Sequence, residues 1–195
     1  MSFEPRSQAD LLRLIEEYPL AWVVCTGGAG YGATPVPLLA ETDATGRISA
    51  LFGHFARANP QVELLRGSPR AAILFNGPHA YVSPQLVSQP RWAPTWNYTT
   101  AEFDVDVELR PGENDAALER LVAHMERGHP RPWTIEAMGE RYGQLVSRII
   151  AFRAHVRSSR GRFKLGQDES PQTRSELLAG LASTELVRWM REFNP

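Results

Sequence analysis

Gly53-His54-Phe55-Ala56-Arg57-Ala58-Asn59-Pro60 closes an apolar run with an imidazole, a guanidinium and a carboxamide. Arg47 to Phe55 reads as a strand, and Asn59-Pro60 supplies an N-cap and a first-turn proline for the helix behind it. Apolar strands do not normally finish that way, so the corner marks both a strand-to-helix junction and a candidate site.

Working upstream, Ser7-Gln8-Ala9-Asp10 has capping-box chemistry. Leu11, Leu12, Leu14, Ile15 and Tyr18 then recur at helical spacing until Pro19 stops the helix. Leu20 to Cys25 reads as a buried strand and Thr26 to Gly32 as its turn. Ala33 to Ala40 reads as a second strand that Pro35 and Pro37 demote to an edge or a bulge. Thr42 to Gly46 is turn chemistry leading into the strand of the opening stretch.

Downstream, Arg70 to Asn76 and Ala80 to Ser83 read as strands, and Pro84 to Pro94 as a loop. Thr95 to Leu109 predicts one long strand or a bent pair, because Phe103, Val105, Val107 and Leu109 alternate with Glu102, Asp104, Asp106 and Glu108. Asn114 opens a helix with the stripe Leu118, Leu121, Val122 and Met125, stopped by Gly128. Trp133 to Ser147 predicts another helix. Arg148 to Val156 and Arg162 to Gln167 are strand segments, and Pro171 to Leu181 and Thr184 to Phe193 are closing helices. Short strands with turn signals and helical decoration predict a mainly β, α+β chain: an antiparallel barrel with peripheral helices.

The 195 residues, 43% of them hydrophobic, suit a single domain over 1–195, with an N-terminal helix and a helical extension over 168–195. A formal net charge of -1 gives no overall attraction for phosphates, so direct DNA binding is not expected. The single cysteine, Cys25, excludes an intrachain disulfide and reads as a small buried core residue. No leader-like segment and no apolar run of about 20 residues is present, so no membrane association and a cytoplasmic location are expected. No zinc spacing, Gly-x-Ser-x-Gly or P-loop occurs.

Three further segments share the mixed character of the opening stretch: Gly77-Pro78-His79-Ala80-Tyr81-Val82-Ser83-Pro84, Pro94-Thr95-Trp96-Asn97-Tyr98, and Gly161-Arg162-Phe163-Lys164-Leu165-Gly166-Gln167. In order and spacing the chain from Leu11 to Gly180 resembles the PaiB-type family of FMN-binding negative transcriptional regulators. The resemblance implies the flavin-binding split β-barrel, a homodimer, a small-molecule substrate, and FMN or heme b as cofactor. It covers two functions. One is a flavin- or heme-dependent oxidoreductase or biosynthetic enzyme, the family including heme-dependent N-N bond-forming synthases as in piperazate biosynthesis. The other is a transcriptional regulator acting as a binding module. The chain departs from the family's pattern at Thr34-Pro35-Val36-Pro37, at Ala151-Phe152-Arg153-Ala154-His155-Val156, after Ser83-Pro84, and at Gly166, where the motif has serine.

Candidate roles follow. Arg57 is a bidentate donor suited to a phosphate, with backbone N–H groups at the Pro60 helix start, or else a surface ion-pair residue. His54 is either a core histidine satisfied by backbone or, beside Arg57 and Asn59, a cofactor contact, which in the heme case makes it the axial iron ligand. His79 and Tyr81, at i and i+2, share a strand face with Ser83 and form either a pocket wall or a solvated exterior. His54, His79 and Tyr81 are the catalytic candidates. Trp96 and Tyr98 offer aromatic surface to a planar ring, with Asn97 opposite, or serve as core. Lys164 and Gln167 are candidates to complete an anion site from a partner subunit.

Overall fold

Residues 3–27 and 30–194 are described by the computed structural model. Helix α1 (Gln8–Glu17) buries Leu11, Leu14 and Ile15, the stripe its spacing predicts. The Ser7 side chain makes no cap; the Asp10 carboxylate instead accepts from the backbone N–H and guanidinium of Arg6. Strand β1 (Leu20–Gly27) turns Ala21, Val23 and Cys25 inward and leaves Leu20 and Trp22 exposed. It pairs with β2 (Gly30–Pro37) in a register that runs without slip from Leu20↔Pro37 to Gly27↔Gly30. The turn predicted over Thr26 to Gly32 is therefore mostly ladder, with Gly28 and Ala29 outside the described residues. Gly32 is needed in that ladder because the Gln61 side chain stands against the place a Cβ would occupy.

Ala33 to Ala40 is not one strand. Leu38 is wholly buried, and its N–H reaches the Pro19 carbonyl at 2.8 Å. That anchor separates β2 from β3 (Leu39–Thr42), and the two lie at opposite edges of a seven-stranded antiparallel sheet ordered β2-β1-β5-β6-β7-β4-β3. Pro35 and Pro37 thus sit on an edge, where a missing N–H costs no ladder bond. The turn into β4 (Ile48–Ala56) is closed by Asp43, whose Oδ1 accepts from the Thr45 and Arg47 N–H groups.

Strand β5 (Arg70–Val82) joins the two segments predicted separately, through a bulge. Asn76 pairs with Thr100 and His79 with Tyr98, so β5 takes three steps where β6 (Thr95–Leu109) takes two. The extra residue inverts the side-chain alternation, which puts Leu74, Asn76, His79 and Tyr81 all on the outer face. Likewise β7 (Ile149–Lys164) is continuous where two segments are predicted, with its register shift opposite Asp104/Val105.

The inner face forms one large core in which Phe55 stacks on Phe152 at 4.6 Å and Phe75 meets Phe103 edge-on. Helix α2 (Gln61–Gly67) covers β1, while α5 (Pro171–Gly180) and α6 (Thr184–Phe193) add Leu177, Leu186, Trp189 and Met190 to the core. Between β6 and β7 the chain makes a helical excursion, α3 (Asn114–Met125) and α4 (Arg141–Val146). The helix predicted from Trp133 to Ser147 is interrupted at Gly139, whose φ of 55° is open to glycine. In α3 the buried apolar residue is Ala117, against Phe52 and Ala151, whereas Met125 of the predicted stripe is exposed. Asn114 ties the excursion down, donating to the Val146 and Ile149 carbonyls and accepting from the Ala151 N–H. The architecture is the antiparallel α+β sheet the sequence predicts. No helix among the described residues is long and apolar enough to cross a membrane.

Candidate functional site

Cross-strand pairing collects one group of candidates into a row. Tyr81↔Trp96, His79↔Tyr98 and Tyr98↔Lys164 are paired positions on β5, β6 and β7, so their side chains leave the sheet on the same, outer face. Tyr81 meets Trp96 edge-on at 6.0 Å and His79 lies 6.2 Å from the same indole; Tyr81 and Trp96 are each about half exposed. The carbonyl of Gly77, presented by the bulge, is 2.9 Å from His79 Nδ1. A carbonyl only accepts, so this contact, shorter than the one to the Asn76 amide nitrogen that would need a bare Nδ1, favours the proton on Nδ1. Lys164 Nζ donates to Thr95 Oγ1, and Arg162 Nε donates to the Tyr98 hydroxyl at 2.9 Å. Arg162 and Thr95 were not singled out in the sequence; the signal for Arg162 is its position two residues before Lys164 on one strand face.

The same outer face carries exposed Leu20, Trp22 and Leu74, with Tyr31 beyond them on β2. Between this surface and Leu121 and Met125 of α3 runs an apolar groove of about 710 Å³ that Asn76 also lines. The Asn76 amide lies 3.3 Å from His79 Nδ1, so the groove adjoins the row.

His54, Arg57 and Asn59 sit elsewhere. His54 pairs with Ala151 on β7, whereas the row pairs through Lys164, on the order of 40 Å further along that strand at about 3.3 Å per residue. The His54 ring shares a side of β4 with Phe52, the side that meets Ala117 and Ala151. Its Nδ1 is buried with no hydrogen-bond partner, and burial pushes its pKa below the ordinary 6.5, which favours neutral imidazole. Arg57 is exposed, and its Nε donates to the Ser147 carbonyl. Pro60 takes the cap position predicted for Asn59; Asn59, one residue ahead, accepts from the Gln61 N–H and donates to Thr34 Oγ1.

Three further candidates spend polar atoms inside the chain. Ser83 Oγ accepts from the Gln85 N–H, starting the turn Pro84–Leu86. Asn97 is buried on the core side, its amide 3.6 Å from Met190 Sδ. Gln167 closes a loop by accepting from the Leu165 N–H and donating to the Phe163 carbonyl. Inside that loop Gly166 has φ 80°, a conformation that disfavours the serine of the family motif.

A family model described as "Putative FMN-binding domain" matches residues 1–158. Protease synthase and sporulation protein PAI 2 of Bacillus subtilis is 26% identical over 140 residues, or 69% of this chain; the chain spans 66% of that relative's length. Among solved structures, the flavocytochrome Anf3 of Azotobacter vinelandii has a TM-score of 0.60 at 13% identity, over 83% of this chain and 69% of that one. The FAD and heme binding protein of Mycobacterium smegmatis has a TM-score of 0.58 at 15% identity, over 92% and 81%. At these identities the structural likenesses show the split-barrel fold.

Proposed function

Because the chain belongs to the FMN-binding domain family, we propose that it is an FMN-dependent redox protein whose flavin lies against the outer row of His79, Tyr81, Trp96, Tyr98, Arg162 and Lys164. The observation that carries this reading is the row itself. Two half-exposed aromatics beside two cations on one sheet face match a planar ring with an anionic tail. In this site the Lys164 ammonium, steadied by Thr95, supports the phosphate. Trp96 and Tyr81 support the ring. His79, its Nδ1 proton held by Gly77, presents Nε2 as a hydrogen-bond acceptor in its neutral form. Bound FMN would supply one- and two-electron transfer.

The reading includes a two-fold dimer through the same face. Leu20, Trp22, Tyr31, Leu74, Tyr81 and Trp96 are all exposed there, and exposed apolar side chains gathered on one face are the kind of surface that a second copy covers. In such a dimer the exposed Arg57 of one copy becomes available to the row of the other.

A second cofactor reading, heme b on His54, is favoured by the unpartnered Nδ1 and the neutral ring, both suited to an iron ligand. A solely regulatory role through direct DNA contact is less well supported. Of the arginines on the terminal helices, Arg188 is paired with Glu17 and Arg174 with Asn194. The absorbance of the purified protein tests these readings, with flavin bands near about 450 nm expected. A heme Soret band near about 400 nm selects the second reading, and a colourless protein that takes up neither cofactor overturns both.

A further inference from the structure

On the far side of α3 from the groove, the helix and the segment after it line an open surface pocket of about 470 Å³ that no part of the flavin reading uses. Its wall is apolar, with Val122, Ile135 and Trp133, and the Trp133 indole is 42% exposed. The backbone N–H of Trp133 donates to the Glu126 carboxylate at 2.8 Å, which holds that segment against the helix. Around the apolar wall stand Glu119, Glu126 and Glu136, with Arg127 the one guanidinium and His129 beside it. A hydrogen bond from Thr134 holds the Glu136 carboxyl below its ordinary value, so it is ionised at neutral pH.

We propose that this pocket binds a small organic cation with an apolar body, such as an arylalkylammonium, the ammonium set between the Trp133 ring and the glutamates. Charge complementarity selects the occupant: three carboxylates face one guanidinium, and an aromatic face attracts a cation through its quadrupole. The rings of Phe3, Phe52, Trp189 and Phe193 each already carry an arginine of the chain, whereas among the described residues none is stacked over Trp133. The volume suits a ligand of one ring and a short chain.

The test is titration calorimetry of the full-length protein with 2-phenylethylammonium, 2-phenylethanol and phenylacetate, three probes of similar shape and different charge. The ammonium is expected to bind about tenfold more tightly than the alcohol, with phenylacetate weakest. Trp133→Leu and Glu119→Gln should each weaken the ammonium about fivefold or more while leaving FMN uptake unchanged. Should Trp133→Leu fail to fold, Glu119→Gln alone carries the test. Equal binding of the three probes, no binding of the ammonium at millimolar concentration, or unchanged ammonium affinity in Glu119→Gln overturns the proposal.

Discussion

His54 shows how far burial and hydrogen bonding can part company at one residue. A buried polar atom without a partner costs about 1–3 kcal/mol, and His54 Nδ1 is such an atom. His54→Leu in the cofactor-free protein should therefore leave the melting temperature unchanged or raise it. The gap should widen on acidification. The folded pKa lies below 6.5, so as pH falls through that value the unfolded chain takes up a proton that the folded chain refuses, and wild type loses stability. Thermal melts at about pH 8 and pH 5.5 check this; a variant that melts lower at both shows a structural role for the ring. Lys164 and Arg57 make the complementary case. Lys164→Ala should weaken FMN retention by about 1.5–3 kcal/mol, the range for hydrogen bonds to charged groups. Arg57→Ala should weaken it too, through the second copy. If flavin fluorescence titration shows loss for Lys164→Ala alone, the phosphate lies wholly within one chain.

At the scale of elements, the corner at the end of β4 depends on close approach. A Cβ on Gly53 would stand 2.5 Å from Leu38 Cδ2 and 2.9 Å from the Pro37 carbonyl oxygen. The first of these atoms can swing aside, but the second is backbone at the junction of β2 and β3. Gly53→Ala is thus expected to cost about 1–3 kcal/mol, read as a lower urea midpoint with an unchanged slope. A change below about 0.5 kcal/mol would mean the β2–β3 junction yields. The bulge in β5 acts on the site in the same way, since its extra residue brings His79 onto the outer face and sets Gly77 as its acceptor.

For the whole molecule, the apolar outer face and the ionic latch between the chain's ends give separate predictions. Trp22→Glu should convert the proposed dimer to monomer in analytical ultracentrifugation, because a charge would be buried unpaired in its interface. A wild-type protein that is monomeric with FMN bound overturns the two-copy site. At the termini, Glu17 accepts from Arg13, Arg188 and Trp189, tying α1 to α6. Despite partial burial, these donors hold its carboxyl at about 2, well under the ordinary 4.5. The stability it contributes is present above 4.5 and lost as pH falls toward about 2. Glu17→Gln should flatten the decline of melting temperature over that window, while an unchanged acid limb would assign it to other carboxylates.

The residues alone determined the elements whose signals are local. β6 was legible because Phe103, Val105 and Val107 alternate with acids, and α1 because its apolar stripe is continuous. The opening stretch likewise led to a strand and a helix, which starts at Gln61 with Pro60 in the cap position and Asn59 accepting from the Gln61 N–H. Pairing, by contrast, is non-local, and no spacing reveals which distant strand a segment meets. Only the tertiary structure sent β2 and β3 to opposite edges, around one buried leucine. It alone grouped Tyr81, Trp96 and Lys164, through the cross-strand pairs Tyr81↔Trp96 and Tyr98↔Lys164, and set His54 far along β7 from them. It also decided that Ser83, Asn97 and Gln167 spend their hydrogen bonds within the chain, because a side chain's partner is whatever the folded backbone brings within about 3 Å.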